Sequence, residues 1–167
     1  MADHKENFID NVLNLARVTK VTKGGKRFSF AALVVSGNKE GKIGIALGKS
    51  REVSQAIAKA TNRARKRMVA VALRGDTIPY DIEGRHGSSR VIIRAASKGT
   101  GVIAGGAVRA IMEAVGIKDV LAKSLGSSNQ QNVAKATLNA LAKLRSAQRI
   151  ALLRGKTIKQ LVKDENA

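Results

Sequence analysis

The chain has 167 residues, 44% of them apolar, and carries 31 Lys and Arg against 12 Asp and Glu, a formal net charge of +19. So large an excess of one sign repels itself, and a polyanionic partner is expected. The absence of cysteine excludes disulfides, thiolate catalysis and Cys-ligated zinc. No run approaches the ~20 apolar residues of a membrane-spanning helix. The first ten residues lack the apolar block of a signal peptide, and we expect a cytoplasmic protein.

The first half of the chain predicts a β-β-β-α unit. Residues 8–16 fit a helix or an extended lead-in to a sheet, and β-branched residues favour a strand over 17–23. Gly24-Gly25 then separates this strand from a second one over 27–35, as a hairpin with positive-φ turn residues. A third strand over 42–48 completes an antiparallel meander.

A helix is predicted after the meander, with Ser50 as its N-cap. Apolar side chains recur at helical spacing and are expected to face the core: Val53, Ile57, Ala60, Ala64 and Met68. A basic stripe runs along another face: Lys59, Arg63 and Arg67. Because like charges at this spacing repel, we expect the stripe to meet RNA or an acidic protein, with a solvated face as the alternative.

The second half alternates strands and helices, which is typical of an α/β domain. Strands are predicted over 77–84, 88–97 and 119–126, and helices over 106–117 and 133–144. A glycine-rich loop (99–106) and a polar loop (127–132) connect them. The predicted fold class is a two-domain α+β and α/β protein. Its divisions are an N-terminal extension (1–9), a β-β-β-α domain (10–73), a βαβα domain (74–150) and a basic tail (151–167).

The hairpin tip is the first candidate RNA-binding site. Glycine lets the backbone approach a phosphate closely, and flanking cations supply the charge. The residues are Lys20, Lys23, Gly24, Gly25, Lys26 and Arg27. The aromatic pair that follows, Phe28 and Phe30, falls on one face of a strand and is interpreted as core. Recognition is therefore expected to run through phosphates, 2′-hydroxyls and shape.

The glycine-rich loop admits three interpretations. Gly99, Gly101 and Ala104 fit the G-x-G-x-x-A pattern of dinucleotide sites, with Asp119 at the distance of a ribose-binding acid. Against this, the acid precedes the next strand and too little chain remains for a doubly wound sheet. The loop amides could instead bind an RNA phosphate at a helix N-terminus, or the glycines could serve a tight junction. The RNA hypothesis names Lys98, Gly99, Thr100, Gly101 and Arg109.

The polar loop offers Ser127, Asn129 and Asn132, with Ser128, as helix caps or RNA contacts. Catalytic groups are few, since only His4 and His86 titrate near neutrality and Asp81 and Glu83 lie beside Arg85 as ion-pair partners. We expect no enzyme, cofactor or metal site. A DNA-packaging protein remains an alternative to an RNA-binding one.

The chain resembles the bacterial-type small-subunit ribosomal protein five family in three stretches: KVTKGGKRFSFAALVVSG (20–37), GKSREVSQAIAKATNRARKRM (48–68) and GTGVIAGGAVRAIMEAVGIKDVLAKSLGSSN (99–129). The resemblance implies a first domain similar to double-stranded-RNA-binding domains and a second with a left-handed crossover. It also implies binding to small-subunit (16S-type) rRNA at the junction of body and head.

Further expectations rest on the same resemblance. Small-subunit proteins four and eight are the implied protein neighbours, and the path of the messenger into the ribosome is close by. Members of the family influence decoding accuracy. The hairpin residues Lys23, Gly24, Gly25 and Lys26 match a segment associated with spectinomycin sensitivity.

Overall fold

The structure is a computed structural model that describes residues 8–158 and residue 160. The interpretation of residues 1–9 as an extension falls mostly outside the described residues, as does His4. The end of the predicted basic tail, residue 159 and residues 161–167, also lies outside them.

The first half forms the predicted antiparallel meander with one helix and an added edge strand. Its elements are β1 (Ile9–Thr22), β2 (Gly25–Gly37), β3 (Lys42–Ser50), α1 (Val53–Lys66) and β4 (Val69–Ala70). The strands lie in the order β1-β2-β3-β4. Residues 9–16, for which helix and extended chain were both open, are extended and pair with β2.

The second half forms a separate four-stranded sheet. Its elements are β5 (Ile82–His86), β6 (Ser89–Ala95), β7 (Val102–Ile103), α2 (Gly106–Val115), β8 (Val120–Gly126), α3 (Gln130–Lys143) and α4 (Ala147–Arg154). The strand order is β5-β6-β8-β7, and β7 runs parallel to β8. The helix α2 connects this parallel pair. The βαβα arrangement is confirmed, while the left-handed crossover stays a prediction.

One predicted boundary in this half is wrong, and one strand was not predicted. The strand expected from Thr77 begins only at Ile82, because Pro79 has no N–H to donate to a ladder. Thr77 instead forms an isolated bridge with Arg74. The predicted glycine-rich loop contains the two-residue strand β7, which is too short to leave a periodic pattern.

The predicted N-cap of α1 is also wrong. Ser50 is the last residue of β3, where it pairs with Phe30, and its hydroxyl donates to the Gln55 side chain at 3.0 Å. The helix begins at Val53; Glu52 occupies the N-cap position in an extended conformation, and its side chain makes no capping hydrogen bond. The strand ladder therefore continues two residues further than Gly48 before the chain turns.

Glycines in β3 bring α1 unusually close to the sheet. The helix buries Ala56, Ala60 and Ala64, whereas the predicted core residues Val53, Ile57 and Met68 are only half-buried. A Cβ placed on Gly44 would lie 2.0 Å from the Ala64 carbonyl oxygen. An alanine face on a glycine strand thus replaces the large side chains that separate most helices from sheets.

The first sheet packs against helices on both faces. Ala32 and Val34 meet α1, whereas Leu33 and Val35 join a larger cluster that includes Ile111, Met112 and other residues of α2. At Gly37 a Cβ would lie 2.1 Å from the Ala114 carbonyl oxygen of α2. One continuous core therefore crosses the predicted division at residue 73. Each helix over residues 8–158 is too short or too polar to span a lipid bilayer.

We expect Gly44→Ala to lower the free energy of unfolding by about 2–3 kcal/mol, because the new methyl group displaces α1 from the sheet. Chemical denaturation monitored by circular dichroism measures the change. Gly106→Ala is the control, since a Cβ there meets nothing within 4 Å. It should stay within about 1 kcal/mol of the original chain. Equal stabilities for the two variants would contradict the close helix–sheet contact.

Candidate nucleic-acid interface

The β1–β2 hairpin extends well beyond the rest of its sheet. The strand β3 pairs with β2 only between Phe30 and Gly37, whereas β1–β2 pairing continues to Thr22 and Gly25. We call the projecting two-stranded segment, residues 17–29, the hairpin arm. From Val18 to Thr22 it spans about 13 Å at the usual rise per residue.

The hairpin arm is a concentrated source of positive charge. It carries five cations and no acidic residue: Arg17, Lys20, Lys23, Lys26 and Arg27. All five are exposed. With a Debye length of about 8 Å at physiological salt, neighbouring cations on so short an arm act together on an approaching anion. The predicted hairpin residues are thus brought together on one protruding element.

The tip of the arm is open to its surroundings. Lys23 and Gly24 form the turn, and the Thr22 hydroxyl donates to the Gly25 carbonyl at 3.0 Å. The predicted positive φ occurs at Gly25, with a value of 120°, and not at Gly24. A Cβ at either glycine would meet nothing within 4 Å. Internal packing therefore leaves the tip backbone accessible to a phosphate.

Phe28 was predicted to lie in the core, and this is wrong. Its side chain is 45% exposed, and the Arg17 guanidinium lies over the ring, 3.8 Å from the ring centroid. The alternation of the strand identified the face correctly, because Phe30 on the same face packs against α1. Phe28 lies further out on the arm than the residues that pack against α1, and it does not belong to that cluster.

The basic stripe of α1 remains on the surface. Lys59, Arg63 and Arg67 are all exposed, and Arg63 donates to the Leu47 carbonyl oxygen at 3.2 Å. The nearby acid, Asp10, pairs with Arg65, outside the stripe. The predicted partner of the basic stripe, RNA or an acidic protein, stays a prediction.

The glycine-rich loop is closed by an internal carboxylate. Asp119 is only 5% exposed, and its Oδ1 accepts hydrogen bonds from the backbone N–H groups of Gly99 at 3.0 Å and Gly101 at 2.9 Å. These two amides are therefore not available to an RNA phosphate. A dinucleotide site would need the Asp119 carboxylate to bind the ribose, but that carboxylate already accepts hydrogen bonds from the loop. A Cβ at Gly99 or Gly101 would meet nothing within 4 Å, so close packing does not require these glycines; their φ values of 92° and 76° do.

Other predicted residues near the loop are placed as follows. Lys98 is exposed, and the Thr100 hydroxyl donates to the Ser97 carbonyl oxygen at 2.7 Å. Arg109 is exposed on α2 and donates to the Val102 carbonyl oxygen at 3.0 Å. The loop does not itself start α2, because β7 lies between Gly101 and Gly106. RNA contacts by Lys98 and Arg109 stay predictions.

The polar loop before α3 is a capping segment. Asn129 is the N-cap, and its side-chain oxygen accepts from the Gln131 N–H at 3.0 Å. The Ser127 hydroxyl accepts from the Asn129 N–H at 3.2 Å. Asn132 is half-buried near Gly87. The capping prediction is confirmed for Asn129, and RNA contacts here remain predictions.

The second sheet has one covered and one open face. The helices α2 and α3 cover Val91, Ile93 and Val120. The alternate residues face outward and form what we call the open face: Arg85, Arg90, Ile92, Arg94, Ile103, Leu121, Lys123 and Leu125. Sequence reasoning missed this apolar face, although the alternation around Ile92 carried the signal.

Several cations of the open face already have acidic partners. Glu83 pairs with Arg90 and with Arg85, and Asp81 lies 3.7 Å from Arg94. Hydrogen bonds from Arg90 and then Arg85 lower the pKa of Glu83, against the opposing effect of desolvation. The predicted ion pair with Arg85 is confirmed for Glu83, whereas Asp81 lies beside Arg94 instead. The open face therefore offers less unpaired charge than the hairpin arm.

Metal-ligating side chains form no cluster in the part of the chain that the structure describes. His86 ends β5 at the turn into β6 and is half-buried. Among the described residues, no group of three or more His, Cys, Asp or Glu could hold a metal ion. The charged surfaces are therefore the candidate functional sites.

Comparison with protein families identifies both halves of the chain. Residues 8–72 match the family model described as ribosomal protein S5, N-terminal domain. Residues 84–154 match ribosomal protein S5, C-terminal domain.

Curated relatives extend the match to nearly the full chain. A protein of Lawsonia intracellularis is 52% identical over 158 residues, covering 95% of this chain and 97% of the relative. One of Acidithiobacillus ferrooxidans is 53% identical over 153 residues, covering 91% and 87%. One of Bartonella bacilliformis is 54% identical over 149 residues, covering 89% and 79%. All three are named small ribosomal subunit protein uS5.

We expect Asp119→Ala to destabilise the fold by about 1–3 kcal/mol, because two loop N–H groups lose their acceptor. Asp119→Asn should cost less, since its amide oxygen can still accept. Thermal unfolding measures both variants, and Glu113→Ala, at an exposed position of α2, is the control. If Asp119→Ala unfolds at the same temperature as Glu113→Ala, the carboxylate does not hold the loop.

Proposed function

Because the chain belongs to the ribosomal protein S5 family, we propose that it is a structural constituent of the small ribosomal subunit that binds the subunit's rRNA. The role is non-enzymatic, and a location on cytoplasmic ribosomes goes with it. The nucleotide-enzyme alternative has no support, since Asp119 is committed to the Gly99–Gly101 loop. DNA packaging likewise finds no relative among the proteins named above.

The hairpin arm is the observation that supports RNA binding most directly. Five exposed cations stand on a two-stranded projection without an acid among them. Neutralising RNA phosphates with such cations releases condensed counterions, which supplies a favourable and salt-dependent free energy. Mechanistically, the arm reaches into a crowded RNA junction while the shared core holds it in a fixed direction relative to the second sheet.

We further propose the finer placement that the family resemblance implies. The protein lies at the junction of body and head, near the path of the messenger, and supports translational accuracy there. Small-subunit proteins four and eight are its proposed protein neighbours. The open face of the second sheet supports a protein contact, because Ile103, Leu121 and Leu125 present exposed apolar surface that an RNA backbone does not match.

We expect Lys23→Ala and Lys26→Ala each to weaken binding to small-subunit rRNA modestly. Each should reduce the slope of log affinity against log salt by about one unit, because one phosphate contact is lost. Filter binding over a series of salt concentrations measures the slope.

The control for these variants is Lys118→Ala. It removes the same charge from a cation that already pairs with Asp76 at 2.9 Å, a contact that lowers the pKa of Asp76 and raises that of Lys118. Its slope should stay unchanged. Hairpin variants that keep the full slope would argue against phosphate contacts at the tip.

We also expect the two surfaces to crosslink to different molecules in assembled subunits. A photoreactive amino acid replacing Lys26 should attach to rRNA. One replacing Leu121 should attach to a neighbouring small-subunit protein, four or eight. Mass spectrometry of the crosslinked products identifies the partner. A Leu121 position that crosslinks to rRNA alone would refute the assignment of the open face.

A further inference from the structure

The strand β8 is paired along its whole length on one side only. Its partner there is β6, whereas on the other side β7 pairs with Val120 and Leu121 alone. The chain then leaves the sheet, because β7 ends at Ile103 and α2 begins at Gly106. Over Ala122–Gly126, no strand within the described residues lies beside β8 on that side. We call this segment the β8 edge.

The β8 edge directs backbone hydrogen-bonding groups away from β6. The Val120 N–H, at the start of the strand, donates to the Gly101 carbonyl oxygen at 3.1 Å on the side of β7. Because alternate residues of a strand direct their backbone groups to the same side, the Ala122 carbonyl and both backbone groups of Ser124 point that way too. Such a row of N–H and C=O groups is a template on which an extended polypeptide can add as a further strand.

An apolar cleft lies beside the β8 edge on the open face. Its volume is about 370 Å³, and its lining comes from three strands: Ile92, Arg94, Ile103, Leu121, Ala122 and Lys123. A strand added next to β8 would continue the line of β7, so its first side chain on the open face would follow Ile103 and lie beside Leu121. Neighbouring strands bring side chains on the same face into contact. The cleft therefore suits one large apolar side chain of the added strand.

Lys123 supplies a charge that the added strand can match. Glu83 and Asp81 engage the three arginines of the open face, whereas Lys123 is exposed and pairs with no acid among the described residues. An acidic side chain opposite Lys123 on the added strand would neutralise it. An RNA phosphate would also neutralise Lys123, but it would leave the apolar cleft unfilled. The edge, the cleft and the charge together favour a protein segment that is both acidic and apolar.

We propose that the β8 edge binds an extended segment of a neighbouring protein as an added β-strand. The segment buries an apolar side chain beside Ile103 and Leu121 and places an acidic side chain opposite Lys123, while its backbone bonds to that of Ser124. The inference rests on the proposed function, in which the open face contacts a protein. It adds to that function the mode of binding and the chemistry of the partner segment.

The test measures the binding of fluorescent peptides to the full chain by anisotropy. The probe has the sequence Thr-Glu-Thr-Ile-Thr-Glu-Thr, which places its Glu and Ile side chains on one face of a strand that runs in either direction. The reference peptide, Glu-Glu-Thr-Thr-Thr-Thr-Ile, has the same composition and charge without the alternation. We expect the probe to bind about tenfold more tightly, because only the alternating peptide directs Ile and both Glu residues to the open face at once.

N-methylation of the probe separates strand addition from contact through side chains alone. One methylated probe carries the methyl groups on the amides of its internal Thr residues, and a second carries them on the amides of Glu and Ile. Only one of these alternate sets faces β8 in an added strand. Methylation of that set should abolish binding, and methylation of the other should leave the affinity within about twofold. If both sets are sensitive, or neither is, strand addition is overturned.

Variants of the edge complete the test. Lys123→Glu should weaken binding of the probe about fivefold and favour a probe with Lys in place of Glu, because the charges are then exchanged. Lys26→Glu makes the same charge change on the hairpin arm and should leave the order of the probes unchanged. Ser124→Pro removes an N–H that the ladder with β6 does not use, so it should abolish binding where Ser124→Ala does not. Circular dichroism verifies folding, and the charge exchange decides alone if the proline variant is unfolded.

The outcomes separate this inference from the proposed function. A probe that binds no better than the reference peptide overturns strand addition, while salt slopes that depend on Lys23 and Lys26 still support rRNA binding. A dimer in sedimentation that Ser124→Pro disrupts would place a second copy at the edge. A photoreactive residue in place of Lys123 that attaches only to rRNA in assembled subunits would place RNA there, and either result overturns the proposal. If the chain binds no small-subunit rRNA at moderate salt, the proposed function fails whatever the peptides show.

Discussion

The surface chemistry of this protein depends on a mismatch in strand length. The first two strands run together to Thr22 and Gly25, while their neighbour stops opposite Phe30. A sheet of equal strands would have paired the edge of β2 as far as the hairpin tip. Because β3 ends early, the chain acquires a projecting arm with an open strand edge, and this arm carries an exposed aromatic ring. All three lie beside cations that have no acidic residue on the arm to neutralise them.

A projecting arm can position cations only if its base is held firmly. Close packing supplies this, because glycines let helices approach the first sheet from both sides, α1 at Gly44 and α2 at Gly37. The α2 contact belongs to the same cluster that supports the second sheet. Arm and second sheet are thereby joined through one core, and less conformational entropy is lost when the cations meet RNA than a free basic tail would lose.

The sequence predicted most elements because each carries a clear local period. The alternation over residues 27–35 indicated a strand, and the recurrence of apolar residues from Val53 to Met68 indicated a helix. What failed depends on contacts between distant residues. The side on which Phe28 lies follows from alternation, but whether anything covers it depends on how far along the hairpin α1 packs. The residue at which β5 begins depends on Pro79. The strand β7 has only two residues, which is too short to show an alternation of apolar and polar side chains.

The candidate site divides in the same way. Charge and glycine content alone pointed to the hairpin tip, and the structure brings those residues onto one element. The glycine-rich loop presented an equally persuasive pattern. Its amides are satisfied by Asp119, 18 and 20 residues away, through contacts that only the folded chain reveals.

Net charge by itself does not identify which surface meets RNA. The open face of the second sheet carries four cations, yet Glu83 and Asp81 engage three of them. Since Arg90 and Arg85 lower the pKa of Glu83, this carboxylate stays ionised at neutral pH and the pairing weakens only as the pH falls through that lowered value. The arm has no such internal acid. A phosphate approaching the arm therefore meets uncompensated charge, whereas at the open face it must compete with carboxylates already in place. Apolar surface around those pairs favours a protein there, and the two ends of one rigid molecule can thus contact different classes of partner.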